Sequence, residues 1–288
     1  MDLHNPHPQR SPAPPRHFGE GRGSSSTARN AERASHAVAI RARLDALAGT
    51  DPLLRVDGLT AGYGAMEILH GIDLRVGAGQ ALCLIGPNGA GKSTVLHSIF
   101  GLTEIRGGRI EVAGRNVTRL GAYTKLRDAG IAYVLQDSSV FPDMTVDENL
   151  RLGGYLMSRS ADASDAAERV FERYPSLAAR RDEPARVLSG GERRLLEISR
   201  ALVMRPRLLL IDEPSIGLEP TYIERIFAIL RDLRDREGLA IVMVEQNAKK
   251  GLEFAEIGCV VVAGELAMVG TGEELLKNPT VGRLFLGG

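Results

Sequence analysis

Short aliphatic runs alternate with helical patterns from about Leu53 to the end of the chain. Uninterrupted apolar runs, several of them bounded by glycine, are typical of strands that helices cover on both faces of a parallel sheet. The clearest helical pattern lies in residues 221–236, where one apolar side faces away from charged positions. The order of strands and helices predicts an α/β fold. The predicted strands are QALCLIG, IAYVLQ, RLLLID, LAIVMVE and GCVVVAG, and the helical stripe is Ile223, Ile226, Phe227, Leu230 and Leu233.

The beginning of the chain has a different pattern. Residues 1–30 are rich in Pro, Ser, Gly, Arg and His and poor in large aliphatic residues, so we predict a disordered tail. Residues 31–52 predict an amphipathic helix and a linker, with Val38, Ile40, Leu44 and Leu47 as its apolar positions. Two interpretations stay open for this helix. It contacts a membrane or a partner, or it is a loosely attached, solvated helix whose basic face is interrupted by acidic residues.

The folded body is predicted to span residues 53–288. Between the strand that ends near Gln136 and the strand that begins at Arg207, the sequence is mostly helical. We therefore predict a helical subdomain over about residues 140–205 within the body.

Composition narrows the functional classes. The chain has 36 Lys and Arg and 36 Asp and Glu, and this zero net charge argues against a nucleic-acid partner that binds by bulk attraction. Cys83 and Cys259 lie far apart in apolar runs, which predicts core residues rather than a disulfide or a zinc site. No run approaches the roughly 20 apolar residues of a membrane span, and no secretory signal is evident, so we expect a cytoplasmic protein.

A glycine-rich loop follows the strand QALCLI and opens a helix. This context is the one that a GxxxxGK[ST] phosphate-binding loop requires, because backbone N–H groups and the helix N-terminus then face phosphate oxygens. Lys92 would add a positive charge, and the Ser93 hydroxyl would bind Mg²⁺. The alternative is an ordinary glycine-rich turn. The predicted phosphate-binding residues are Gly86, Pro87, Asn88, Gly89, Ala90, Gly91, Lys92, Ser93 and Thr94.

Two adjacent carboxylates follow the predicted strand RLLLI. Ligands of open α/β sheets bind at the carboxyl ends of strands, where Asp212 and Glu213 are expected. We predict that Asp212 holds Mg²⁺ through water, and that Glu213 polarises the water that attacks the γ-phosphate. The alternative is a pair of surface acids in a turn before Pro214.

A second glycine-rich segment precedes a predicted helix and indicates a particular protein family. Its sequence is Leu188-Ser189-Gly190-Gly191-Glu192. With this sequence the chain resembles the ATP-binding subunits of ABC transporters, whose signature motif is LSGGQ. The resemblance covers residues 53–288 in the expected order. It implies a P-loop NTPase sheet core of the ABC type, with an antiparallel β portion and the inserted helical subdomain, and it implies ATP and Mg²⁺ as ligands.

The resemblance also implies roles for single residues. Tyr63 is similar to the aromatic residue that stacks on adenine, although a core or surface tyrosine is the alternative. Gln136 is similar to the loop glutamine that meets Mg²⁺ and senses the γ-phosphate, against the alternative of an ordinary glutamine at a strand end. In this family two subunits pair head to tail, which implies that Ser189, Gly190 and Gly191 contact ATP held by Lys92 of a second subunit.

Three positions depart from the common family pattern. Gln246 stands where most members have a switch histidine, and an amide can donate a hydrogen bond but cannot carry a proton at neutral pH. Glu192 replaces the signature glutamine, and Glu219 stands where many members have Asp. The EQN sequence, the SIGLEP loop and the short ending VGRLFLGG resemble one subfamily, the second ATPase of importers for branched-chain amino acids and related amides or urea.

This resemblance implies an ATPase that energises a separate membrane permease from the inner face of the membrane. The implied partners are permease subunits, a second ATPase subunit in a homodimer or heterodimer and, indirectly, a periplasmic solute-binding protein. Phe141, Pro142, Asp143 and Met144 would line the groove that receives the permease, although Phe141 could equally pack inside its own subdomain. The alternative function is a soluble ABC-type ATPase that acts as an assembly or regulatory switch. A binding protein that holds ATP without turnover is disfavoured because Lys92, Ser93, Asp212 and Glu213 are all present.

Overall fold

The computed structural model describes residues 24–136 and 139–285. Its first sheet is antiparallel in the order β2-β1-β4-β5. The strands of this sheet are β1 (Leu54–Tyr63), β2 (Met66–Val76), β4 (Glu104–Val112) and β5 (Arg115–Asn116). Buried residues of β1 alternate with half-buried ones along most of the strand, which shows that one face of the sheet packs on the core.

The second sheet has the order β10-β9-β3-β8-β7-β6. All its strands are parallel to their neighbours except β10, which pairs antiparallel with β9. Each apolar run predicted as a strand forms one, which confirms the α/β prediction. These strands are β3 (Ala81–Ile85), β6 (Ile131–Val134), β7 (Leu208–Asp212), β8 (Ala240–Val244), β9 (Ile257–Val262) and β10 (Glu265–Gly270).

Helices cover the parallel sheet on both faces. On one face, α2 (Lys92–Phe100) packs with the antiparallel sheet, and on the other face α8 (Pro220–Glu237) and α9 (Ala248–Phe254) pack together. The predicted stripe of α8 is buried through Ile226, Phe227, Leu230 and Leu233. The remaining helices of this part are α3 (Ala122–Ala129), α10 (Gly272–Leu276) and α11 (Pro279–Phe285).

Between β6 and β7 the chain is helical. The elements are α4 (Val146–Gly153), α5 (Ser160–Arg173), α6 (Pro175–Ala178), a 3₁₀ turn (Ala185–Val187) and α7 (Gly190–Leu202). These helices share a hydrophobic cluster of their own, which includes Leu150, Phe171, Leu177 and Leu196. The insertion therefore buries apolar surface independently of the two sheets.

The N-terminal helix corrects two predicted boundaries. Helix α1 runs over Ser24–Ala48, so residues 24–30 are helical rather than part of a disordered tail. The rest of the predicted tail lies outside the described residues.

The predicted start of the folded body at residue 53 is also wrong. The chain divides into two compact units, and the second begins at Ala39. From there α1 belongs to the same core as the antiparallel sheet, because Ile40, Leu44 and Ala48 are buried in its hydrophobic cluster. Spacing of four residues places these three side chains on one face of the helix. The apolar face of this part of α1 is therefore covered by the chain's own core, and this part is not a loosely attached helix.

Ion pairs flank the buried face of α1. Arg41 Nε donates to Asp73 Oδ2 at 2.8 Å, and Arg75 Nε donates to Asp45 Oδ1 at 2.9 Å. Asp73 and Arg75 are both buried strand residues of β2, so their charges would be costly without these partners. The pairs fix the register of α1 on the sheet.

Candidate active site

The glycine-rich loop joins β3 to α2 and needs glycine for two different reasons. A Cβ at Gly86 would lie 2.1 Å from the Val261 carbonyl oxygen, so the neighbouring strand leaves no room for a side chain. Gly91 caps α2 with a φ of 98°, a left-handed conformation that glycine adopts without steric cost. The loop therefore turns sharply and directs the N-terminus of α2 at the carboxyl edge of the sheet.

Lys92, the first residue of α2, lies in this loop. Its Nζ donates to the carbonyl oxygens of Gly86 at 2.9 Å and of Pro87 at 3.0 Å. Burial lowers the pKa of Lys92, and the carboxylates of Glu213 and Asp212 oppose that shift. The loop thus holds a buried ammonium group beside two acids, the position in which it can bind a phosphate chain.

Asp212 ends β7 and is buried. Burial raises the pKa of its carboxyl group, while the hydroxyls of Ser93 and Tyr133 oppose the rise. Its Oδ2 accepts from Tyr133 Oη at 3.3 Å, and its Oδ1 is buried without a hydrogen bond to another described residue. A carboxylate oxygen of this kind next to a serine hydroxyl is an oxygen donor set that suits Mg²⁺ and its water.

Glu213 has a left-handed backbone with a φ of 45°. Such a conformation is uncommon for a residue with a side chain and is concentrated at functional sites. Burial raises the pKa of the Glu213 carboxyl, and Asp212 and Glu245 add to the rise. Gln136 Nε2 donates to Glu213 Oε2 at 3.0 Å, so the glutamine after β6 and the acid after β7 are in direct contact.

One cavity of about 450 Å³ collects most of the predicted residues. This volume is in the range of small-molecule sites. Its lining combines backbone N–H groups of the loop, one ammonium group, three side-chain amides and one carboxylate, a set that suits a phosphate chain with a divalent cation. The predicted residues that line it are Asn88, Gly89, Gly91, Lys92, Ser93, Thr94, Gln136, Glu213 and Gln246.

Tyr63 lies outside the lining of that cavity. Its side chain is partly exposed, and its hydroxyl contacts His97 Nδ1. The His97 ring in turn packs edge-on against Tyr133, with ring centroids 5.8 Å apart. Sequence reasoning gave His97 and Tyr133 no role, yet they connect Tyr63 to the Asp212 carboxylate.

The signature residues occupy the start of α7. Ser189 is its N-cap, and Ser189 and Glu192 form a reciprocal capping box, with Ser189 N donating to Glu192 Oε2 at 2.9 Å. Gly191 packs on Tyr222 so closely that a Cβ there would lie 1.9 Å from the ring. Ser189 and Gly190 are exposed, and none of the three signature residues lines the cavity of the glycine-rich loop. Glu192, the departure from the signature, thus supports the helix cap.

A buried ion pair connects α7 to the strand ends. Arg194 donates to the Leu135 and Asp212 carbonyl oxygens at 2.9 and 2.8 Å, and its Nη1 lies 2.8 Å from Glu197 Oε2. This arginine therefore fixes the ends of β6 and β7 against the helix that begins at the signature.

Glu245 is the site residue that sequence reasoning missed. It follows β8, is buried, and accepts from Ser215 Oγ at 2.7 Å and from the Asn247 N–H at 3.0 Å. Burial raises the pKa of its carboxyl group. An acid at the end of a buried strand, as for Asp212, was the signal that could have found it.

The glycine-rich loop, the acids at the strand ends and the signature residues of α7 are features of a known protein family. Residues 69–216 match the ABC transporter family, and this chain belongs to that family. It is an ATP-binding ATPase subunit of a transporter. Within the described part of the chain, no helix is long and apolar enough to cross a membrane.

Individual relatives support the assignment. The chain is 40% identical to the high-affinity branched-chain amino acid transport ATP-binding protein BraG of Pseudomonas aeruginosa, over 82% of this chain and all of that protein. It is 32% identical to the lipopolysaccharide export system ATP-binding protein LptB of Haemophilus influenzae, over 82% of this chain and 97% of that protein. Its fold matches the ADP conformation of an ATP-binding cassette of an ABC transporter with a TM-score of 0.73 and 27% identity, over 83% of this chain and all of that one.

Proposed function

We propose that this chain is the ATP-hydrolysing subunit of an importer for branched-chain amino acids or related amides. The observation that carries the proposal is the 40% identity to BraG along the whole length of that protein. Identity to LptB over nearly the same span is lower, at 32%. Gln246 at the edge of the nucleotide cavity supports the same subfamily through its departure from the usual histidine.

The residues of the cavity suggest a division of roles. The loop from Gly86 to Thr94 and the Lys92 ammonium bind the phosphates of ATP, while Ser93, Asp212 and Gln136 hold Mg²⁺, which supplies positive charge to the phosphate oxygens when bound. Glu213 accepts a proton from the attacking water, and its raised pKa favours that proton transfer. The Gln246 side chain donates a hydrogen bond near the γ-phosphate. Tyr63 stacks on the adenine in this proposal.

A second subunit completes the proposed site. Ser189 and Gly190 are exposed at a helix N-terminus and do not reach the cavity of their own chain, so they are available to the γ-phosphate of ATP on a paired subunit. Head-to-tail pairing would close each ATP between Lys92 of one subunit and Ser189 of the other. Hydrolysis would then open the pair and drive the permease.

The groove near Phe141 suggests where the permease docks on the inner face of the membrane. Phe141 is 49% exposed and lines a cavity of about 400 Å³ with Tyr155, Leu156 and Met204. Exposed aromatic and aliphatic side chains around a concavity are typical of a protein-binding surface. Phe141 also lies under Arg200, with the guanidinium 5.8 Å from the ring centre, so it is only partly held by its own subunit.

Co-purification tests the proposal. The tagged chain is isolated from gently solubilised membranes, and its partners are identified and reconstituted in vesicles with ATP inside. Recovery of multi-span permease subunits and a second ATPase, with ATP-dependent uptake of leucine, isoleucine or valine that Lys92→Ala abolishes, is the expected result. Recovery of lipopolysaccharide-export partners, or of soluble partners alone, would overturn the importer proposal and favour the export or soluble-switch alternative.

A further inference from the structure

A third cavity lies at the end of the parallel sheet opposite to the cavity of the glycine-rich loop. It encloses about 470 Å³ between α5, the C-terminal part of α7, the loop that precedes β7 and the end of α8. Its lining shares no residue with the nucleotide cavity. The volume is sufficient for a small organic molecule.

Two buried hydroxyl groups in its lining have no hydrogen-bond partner. Ser199 is fully buried and Tyr174 is 8% exposed, and neither Ser199 Oγ nor Tyr174 Oη bonds to another described residue. A buried hydroxyl without a partner costs free energy, so nearly all such groups in folded proteins are satisfied. Because Tyr174 and Ser199 both line the cavity, their hydroxyl groups are the nearest unpartnered polar groups to any ligand that enters it.

The rim of the cavity is positive. Arg169, Arg173 and Arg205 line it together with one acid, Glu237. Arg173 is already neutralised, because it pairs with both Asp232 and Glu237. Arg169 and Arg205 are exposed and form no ion pair within the described part of the chain, so two guanidinium groups are available to an anion.

The remaining walls are apolar. Val170, Leu202, Val203 and Leu239 line the cavity. Val170 and Leu202 are half-buried, so an aliphatic body would cover their remaining exposed surface, whereas a bare inorganic anion would not. The lining as a whole combines charged donors, neutral donors and apolar surface.

We propose that this cavity is a binding site for a small aliphatic carboxylate, separate from the nucleotide site. The guanidinium groups of Arg169 and Arg205 bind the carboxylate oxygens, because planar guanidinium donors match a carboxylate. The aliphatic body packs on Val170, Leu202 and Leu239, and the hydroxyls of Ser199 and Tyr174 gain partners from the ligand or from a water that enters with it. The proposal is independent of which substrate the transporter carries.

The test is a ligand-detected NMR titration of the full chain with 4-methylpentanoate. Saturable binding is expected, weakened about tenfold by Arg169→Gln or Arg205→Gln, which remove one charge-assisted contact each. Arg231→Gln, on α8 but outside the cavity lining, serves as the matched control and should leave binding unchanged. Two further probes are inorganic phosphate, which lacks the aliphatic body, and 4-methylpentan-1-ol, which lacks the charge.

Tyr174→Phe and Ser199→Ala separate a binding role from a structural one. Each removes a hydroxyl that has no partner, so thermal stability should be kept or raised while binding of 4-methylpentanoate weakens. Absent binding, equal binding of phosphate or of the alcohol, or binding that survives the double Arg169→Gln, Arg205→Gln change would overturn the proposal. Loss of binding in Arg231→Gln would overturn it as well.

Discussion

At the scale of single residues, the site concentrates negative charge in a buried place. Asp212, Glu213 and Glu245 follow the ends of two neighbouring strands, and burial raises the pKa of all three carboxyl groups. Lys92 is the cation whose charge opposes the rise at Glu213. This arrangement favours a ligand that brings cations with it, as ATP with Mg²⁺ would.

We expect Glu213→Gln to slow ATP hydrolysis by at least about 100-fold, because an amide cannot accept the proton of the attacking water. Nucleotide affinity should be retained, since the phosphate-binding loop is untouched. Phosphate release and fluorescent-nucleotide binding measure the two effects. Glu224→Gln, on an exposed part of α8, is the matched control; unchanged turnover in Glu213→Gln would remove the proposed base.

The buried carboxyl group of Glu245 should make the stability of the protein depend on pH. Because its pKa is raised by burial, ionising it opposes folding, and this cost disappears as pH falls through the raised value. Stability of the wild type relative to Glu245→Gln should therefore rise by about 1 kcal/mol between about pH 8 and about pH 5. Urea unfolding of both proteins across this range measures the difference.

Glu224→Gln provides the control for this pH series. A hydrogen bond from Lys250 lowers the pKa of the Glu224 carboxyl, so ionising Glu224 favours folding. The wild type should therefore keep a nearly constant stability relative to Glu224→Gln between about pH 8 and about pH 5, and should lose stability only at lower pH, the direction opposite to Glu245. A Glu245 series that runs in the same direction as the Glu224 series would contradict the argument.

At the scale of elements, α1 shows how a few apolar positions attach a helix to a sheet. Leu44 is fully buried against the antiparallel sheet, and the ion pairs at Arg41 and Asp45 lie beside it. Each pair joins one exposed and one buried side chain, so the pairs orient the helix while burial supplies most of the attachment.

We expect Leu44→Ala to lower the free energy of unfolding by about 3 kcal/mol, because it removes buried methyl groups and leaves a cavity. Arg43→Ala, one position away, should cost less than about 1 kcal/mol, since its ion pair with Glu274 is exposed. Denaturant unfolding of both variants measures the difference. Equal effects of the two substitutions would mean that the part of α1 from Ala39 onward is not part of the core.

At the scale of the whole molecule, the proposed head-to-tail pairing rests on the exposed Ser189 and Gly190 at the start of α7, in a chain that contains its own phosphate-binding loop. In Glu213→Gln, bound ATP should persist and hold the paired state. We therefore expect Mg²⁺-ATP to double the mass seen by light scattering, either with this chain alone or after addition of the second ATPase that co-purifies with it.

The matched variant for this experiment is Ser189→Arg in the Glu213→Gln background. A bulky side chain at the signature should prevent pairing while ATP still binds to the loop of its own chain. Pairing that survives Ser189→Arg would contradict the head-to-tail arrangement. A failure to pair in either mixture would contradict it too.

The sequence by itself determined the features that depend on local order. The apolar runs are uninterrupted because both faces of the parallel strands are buried, and this explains why β3, β6, β7, β8 and β9 were predicted near their observed bounds. The loop from Gly86 to Thr94 and the acids at the end of β7 were predictable for a second reason. Their chemistry is determined by residues that are neighbours along the chain.

Only the tertiary structure decided features that depend on distant partners. The sequence could not show that Ile40 and Leu44 face a sheet, because the pattern of a short amphipathic helix is the same whether a sheet, a membrane or water covers it. It gave Glu245 no role, because the burial of that carboxylate arises from residues that are far away along the chain. The cavity between α5, α7 and α8 is likewise formed by segments that meet only in the folded molecule, and no spacing along the chain records such a meeting.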